Sequence, residues 1–147
     1  MKNKLIEALE ALLNQKIGLL KNELVQVQAS ANEETKSSAG DKYETGRAMA
    51  QLEIERLTKS LADQESLQKQ LQKAKNNESG TLVSTGSLVS TSVGIYYIAV
   101  SIGIVTIEQN KIMCISAESP IGKLLIGKSV GQSIEWNKQS MTITAIE

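Results

Sequence analysis

Two apolar stripes of helical period, separated by one short break, limit what this chain can fold into. Ile6, Leu9, Leu13, Ile17, Leu20, Leu24 and Val27 recur at steps of three and four, so one face of a long helix is apolar. Ala50, Ile54, Leu57, Leu61, Leu67 and Leu71 repeat the pattern downstream, with Gln64 as a polar interruption. The remaining positions are mostly Lys, Glu, Gln, Asn and Ala, and Gly18 is the weak helix former of the first run. Ser37, Ser38, Ala39 and Gly40 break the pattern, and a break that short favours an antiparallel helix pair closing on itself. The expected helices cover roughly residues 4–36 and 42–75, with Leu20 and Leu24 facing Ile54 and Leu57. Each arm of about 35 residues would reach about 50 Å. A seam of this kind is a narrow core, so the arm is expected to draw stability from a domain at its base.

Residues 79–147 have a different composition. The helical period stops at Asn76-Asn77-Glu78-Ser79-Gly80. β-Branched runs follow: Leu82–Thr85, Leu88–Thr91, Ile95–Val100, Ile104–Ile107, Ile112–Ser116, Ser133–Trp136 and Met141–Ile146. Gly86, Gly94, Gly103, Gln109-Asn110-Lys111 and Asn137-Lys138-Gln139 punctuate them, which predicts an antiparallel sheet with tight connections. One short helix is expected within it. Ser119 is placed to cap it, Pro120 to open it and Gly127 to close it, with Leu124, Leu125 and Ile126 as its apolar residues. The fold class is therefore α+β, an antiparallel coiled-coil hairpin over 1–78 and a small sheet domain over 79–147.

Composition removes several kinds of chemistry. The chain has 16 basic and 16 acidic residues, no His, no Phe and one Cys. Divided at Glu78, the charges balance 12 against 12 and then 4 against 4, so neither half is a nucleic-acid polycation. Without His, a Ser-His-Asp triad, a Cys-His dyad and a His-containing zinc site are unavailable. Cys114 lies in an apolar strand run and reads as a buried, inert thiol. Met1-Lys2-Asn3-Lys4 leads directly into an amphipathic helix with Glu7 and Glu10, and no later run approaches a membrane span. A cytoplasmic protein without membrane contact is expected.

The break between the helices carries the sharpest chemical signal, Gly40-Asp41-Lys42-Tyr43-Glu44. Asp41 and Glu44 have the spacing of a capping box, in which both carboxylates satisfy free N–H groups and suit the helix dipole. Two carboxylates on one face of a helix start also match what Mg²⁺ takes from protein, one or two such ligands beside waters and phosphate oxygens. A pair alone makes no tight site, so such an ion would be shared with a partner. Glu33, Glu34 and Lys36 read as a solvated helix end.

The arm, the tip Gly-Asp-x-x-Glu and the segment Ser119 to Gly131 (Ser-Pro-Ile-Gly-Lys-Leu-Leu-Ile-Gly-Lys-Ser-Val-Gly) together resemble the GreA/GreB family of bacterial transcript cleavage factors. The resemblance implies an FKBP-like C-terminal domain. It also implies that the arm enters the secondary channel of RNA polymerase, where Asp41 and Glu44 would help hold the second catalytic Mg²⁺ for hydrolysis of backtracked RNA by the polymerase. The protein would then be no enzyme itself, with no cofactor of its own, meeting the RNA 3′ end only within the complex. Ser119, Pro120, Lys123 and Lys128 would lie on the domain that docks on the beta-prime rim coiled coil. Tyr43 and Arg47 would contact the partner from the tip. The chain departs from the family pattern after Glu44, where Thr45-Gly46-Arg47-Ala48 replaces a run with a further acid and an aromatic. That departure makes channel occupation without cleavage, and hence inhibition of polymerase, the near alternative.

Two other classes remain. An FKBP-like domain on a helical handle could be a peptidyl-prolyl isomerase or chaperone, but that requires an aromatic-lined pocket, and only Tyr96, Tyr97 and Trp136 are available. A dimerising adaptor could use the heptads between chains. The break at Ser37–Gly40 favours a hairpin within one chain, and hence a monomer.

Overall fold

A computed structural model of the chain describes residues 1–37, 41–78 and 80–147, and the side chains of 34–37 and 41–43 fall outside that description. Ser38, Ala39 and Gly40 of the expected turn are thus outside the described residues. The elements run α1 (Lys2–Ser37), α2 (Asp41–Lys75), β1 (Leu88–Thr91), β2 (Ile95–Ile98), β3 (Gly103–Ile107), β4 (Asn110–Ile115), α3 (Pro120–Leu125), β5 (Ser133–Trp136) and β6 (Gln139–Ile146). By packing, Ala11–Ser66 forms one unit, while Met1–Glu10 and Leu67–Glu147 form the other.

In the helical unit the apolar stripes meet as the period requires. Leu13, Ile17 and Leu57 are buried, and Leu20, Leu24, Val27, Ala50, Ile54 and Leu61 are half-buried. The helices run antiparallel, since Gln28 and Asn32 share a groove with Arg47 and Gln51, and Glu23 lies near Arg56. The Arg56 guanidinium is held above its ordinary range first by its hydrogen bond to Glu53, with Glu23 adding a smaller pull. Gln64 interrupts the seam as its type demands: its Oε1 is buried and has no hydrogen-bond partner among the described residues. Among the described residues, no helix is long and apolar enough to cross a membrane.

The other unit holds a six-stranded sheet in the order β3-β4-β2-β1-β6-β5. The expected antiparallel pairing holds for every neighbour pair except β2 and β4, which run parallel from Ile95↔Ile112 to Ile98↔Ile115. β3 is the reason. It turns back on β4 through a tight hairpin, so that β3 and its flanks serve as the crossover a parallel pair needs. Leu82–Thr85, expected as a strand, makes only an isolated bridge, Leu82 to Ser129. Val83 instead docks on the end of α3, donating to Lys128 O at 2.8 Å and accepting from Gly127 N at 2.8 Å.

Both faces of the sheet are covered. On one, Val89, Ile98, Ile115, Ile134, Met141 and Ile143 pack with Val83 and with Ile121 and Leu125 of α3. Leu124, one of the apolar residues of this helix, is 37% exposed, because a helix of less than two turns can turn only part of its apolar set inward. On the other face, Leu88, Tyr97, Ile112 and Cys114 are buried, and the helix ends of the same unit bury Leu5, Leu9, Leu71 and Ala74.

Polar contacts fasten those helix ends to the sheet. Asn77 Nδ2 donates to Thr85 O at 2.8 Å, and Lys4 pairs with Glu108 in the β3–β4 turn. Glu10 Oε1 accepts from Gln72 Nε2 at 3.0 Å and from Lys75 Nζ at 2.9 Å, tying α1 to α2. Gly86 has φ +97°, and a Cβ there would lie 2.3 Å from Ala74 O, so the α2 backbone rests directly on this turn. Burial pushes the Cys114 thiol up to about 11. It also raises the Tyr97 phenol to about 12, with Cys114 and Glu10 adding to the effect. Both groups are therefore neutral at ordinary pH.

Two measurements check this joint. Gly86→Ala combines a forbidden φ with a backbone clash and should cost at least about 2 kcal/mol in urea unfolding, more than an ordinary surface Gly→Ala change. Tyr97 is fully buried and its hydroxyl has no hydrogen-bond partner among the described residues. Tyr97→Phe removes that orphaned group, so stability should rise by up to about 1 kcal/mol with an unchanged m-value; a clear loss would mean the hydroxyl is satisfied in solution.

Candidate functional site

The sequence points to two places, the start of α2 and the turn into α3. Asp41 is the first residue of α2 and Tyr43 lies in its first turn, but the side chains of both lie outside the described residues. Glu44 is exposed, and Arg47 is exposed one turn further along the same helix. Behind them Ala31, Gly46 and Ala50 are half-buried. The small residues Ala31 and Ala50 line a shallow groove of about 580 Å³ with Gln28, Asn32, Arg47, Gln51 and Ile54. A single exposed carboxylate with a guanidinium one turn away makes no metal cage. Among the described residues, no three His, Cys, Asp or Glu side chains gather where an ion could sit. Glu44 could thus be one ligand of a shared ion, not the owner of a site.

The turn into α3 is built by backbone geometry. Ser119 Oγ accepts from Gly122 N at 3.1 Å and donates to Ser116 O at 2.7 Å, closing the helix start from both sides. Pro120 follows at the first helical position, where it gives up no hydrogen bond. Gly122, which the sequence reading passed over, is as constrained as the cap. A Cβ there would lie 2.3 Å from Ser116 O and 2.8 Å from Ser119 Oγ. Gly127 then ends the helix at φ +82°. Lys123 is exposed and Lys128 half-buried. Ser119, Pro120, Lys123 and Lys128 therefore all belong to one short capped element, whereas Glu44 and Arg47 belong to the helical unit.

The sheet unit has one further concavity. Val93, Gly94, Ile95, Tyr96, Ile104, Lys111 and Met113 line a groove of about 160 Å³ beside the β3 edge. This is smaller than ordinary small-molecule sites, about 300–1,000 Å³. Of the aromatics considered for an isomerase pocket, only Tyr96 lines it, since Tyr97 is wholly buried and Trp136 packs against the core. The described groove does not supply the aromatic box that proline-ring binding requires.

Residues 100–147, from the end of β2 through α3 to β6, match the family model described as transcription elongation factor, GreA/GreB, C-terminal. Over this segment the chain is similar to the C-terminal domain of the Gre-type elongation factors. The matched region contains the whole Ser119–Gly131 segment, with the capped helix and its glycines. Two long helices ahead of a mostly antiparallel sheet with one short helix accord with the same family. No curated protein matches the chain.

Ser119→Ala removes the acceptor for Gly122 N and should cost about 1 kcal/mol, read as a lower urea midpoint. Ser119→Asp keeps an acceptor and should restore most of it.

Proposed function

We propose that this Gre-type chain binds RNA polymerase, carries its helical hairpin into the secondary channel, and stimulates cleavage of backtracked RNA by the polymerase. The observation that carries the reading is the GreA/GreB domain at residues 100–147, joined in one chain to a pair of 36- and 35-residue helices. Supporting it, Glu44 stands exposed at the start of the second helix, and Asp41 opens that helix.

In this reading hydrolysis belongs to the polymerase and the chain is no enzyme. Asp41 and Glu44 would each lend a carboxylate to a Mg²⁺ whose remaining ligands come from the partner, in keeping with an ion that takes one or two protein carboxylates. When bound, that ion activates water or stabilises the leaving oxygen of a phosphodiester. The chain's own share is delivery. Two helices hold the acidic start of α2, while the sheet unit, with Ser119, Pro120, Lys123 and Lys128 on its α3 element, docks outside on the beta-prime rim coiled coil. Tyr43 and Arg47 would meet the partner beside the carboxylates, Arg47 as a cation suited to phosphate. The balanced charge gives no ground for binding free nucleic acid, so RNA is met only inside the complex.

A second reading is favoured by one feature, the run Thr45-Gly46-Arg47-Ala48 that puts a cation where the family carries an acid. It makes the chain a channel-blocking inhibitor. One assay separates the two: a stalled, backtracked elongation complex with and without the protein. Stimulated cleavage that falls at least about ten-fold in Asp41→Asn with Glu44→Gln, with binding and melting nearly unchanged and partial recovery at higher Mg²⁺, supports the first reading. No cleavage at any concentration, together with displacement of an active factor, supports the second.

A further inference from the structure

The β3 edge of the sheet lacks the devices that usually keep an edge strand from pairing. β3 is the terminal strand and reads Gly103-Ile104-Val105-Thr106-Ile107, with no charge and no proline. Its hairpin to β4 fixes which backbone groups are left over. The connection is the two-residue turn Glu108-Gln109, both residues at positive φ (49° and 70°), and Ile107↔Asn110 closes it. In such a hairpin the closing pair is hydrogen-bonded and the pairs alternate, so Ile107, Val105 and Gly103 bond to β4. The N–H and C=O of Ile104 and Thr106 therefore point away from β4, and among the described residues no other strand meets them.

We propose that β3 pairs with β3 of a second copy of this chain, antiparallel about a two-fold axis through Val105. That register is the one the open groups select. Ile104 of one copy lies opposite Thr106 of the other, each such pair exchanges two hydrogen bonds, and the two Val105 side chains meet at the axis, where Cβ atoms approach most closely. The arrangement is isologous, so it closes at two copies.

Side-chain chemistry agrees with the register. Ile104, 61% exposed, stands on the groove face beside Met113 and would gain the methyl group of the partner's Thr106 as neighbour. Lys111, opposite Thr106, is the cation of that face. In the paired sheet the two Lys111 residues fall three strand spacings apart, about 14 Å, which is beyond a Debye length at physiological salt. Glu108 at the turn is already neutralised by Lys4. Two five-residue edges bury well under the about 1,200 Å² of a stable complex, so the association is weak and appears at high protein concentration.

The test is sedimentation velocity on the full chain from about 1 µM to about 1 mM, with amide hydrogen exchange at both ends of the range. The expected result is a concentration-dependent shift from monomer to dimer, with slower exchange at Ile104 and Thr106 in the concentrated sample. Thr106→Pro deletes an outward N–H without removing a bond to β4, and Ile104→Lys places a charge on the edge. Each should weaken association at least ten-fold. Monomer throughout the range overturns the proposal. So does a dimer that survives both substitutions, or one lost in Met49→Lys/Leu52→Lys on the exposed face of α2 and not in the β3 variants.

Discussion

The arrangement rests on a sheet that has to be covered on both faces. Leu88, Tyr97, Ile112 and Cys114 form a buried layer opposite the α3 core, and a sheet domain of this length has no second helix of its own to place there. The cover comes from chain ends remote in sequence, the first turns of α1 and the last turns of α2, which bury Leu5, Leu9, Leu71 and Ala74 in the same unit. Gly86 allows the α2 backbone to approach closely enough for this. The outer ends of the two helices are thus part of the sheet unit's core.

That dependence assigns separate tasks to separate residues. The ends of the helices contribute stability, while Ala11–Ser66 forms a unit with a thinner seam, in which Leu13, Ile17 and Leu57 are buried and most other seam residues are half-buried. Gln64 adds to that seam a buried amide oxygen with no hydrogen-bond partner among the described residues, a local cost that an all-Leu stripe would not carry. Near the start of α2, Glu44 and Arg47 are exposed and committed to no core.

The turn Ser119–Gly131 illustrates how a family signature can be structural in origin. Ser119 caps, Pro120 starts the helix, Gly122 yields space to Ser116 O, and Gly127 ends the helix at positive φ. Each residue type answers a backbone requirement before any partner is considered. On the same element Lys123 and Leu124 are exposed and Lys128 is half-buried.

The sequence by itself determined the helices, because a period of three and four in apolar residues without proline leaves few alternatives, and α1 and α2 lie within two residues of the expected 4–36 and 42–75. It also determined the α3 cap and the acidic start of α2, since both are local chemistry. Tertiary structure decided the rest. The parallel β2–β4 pair, the demotion of Leu82–Thr85 to a bridge and the exposure of Leu124 depend on which strands meet, and strand period carries no information about partners. The roles of Gly86 and Gly122 were likewise invisible, because a glycine's need for space is set by an oxygen atom that only folding brings near. Leu5 and Ala74 were buried by the same cause: a sheet face that required a cover and found it at the two ends of the hairpin.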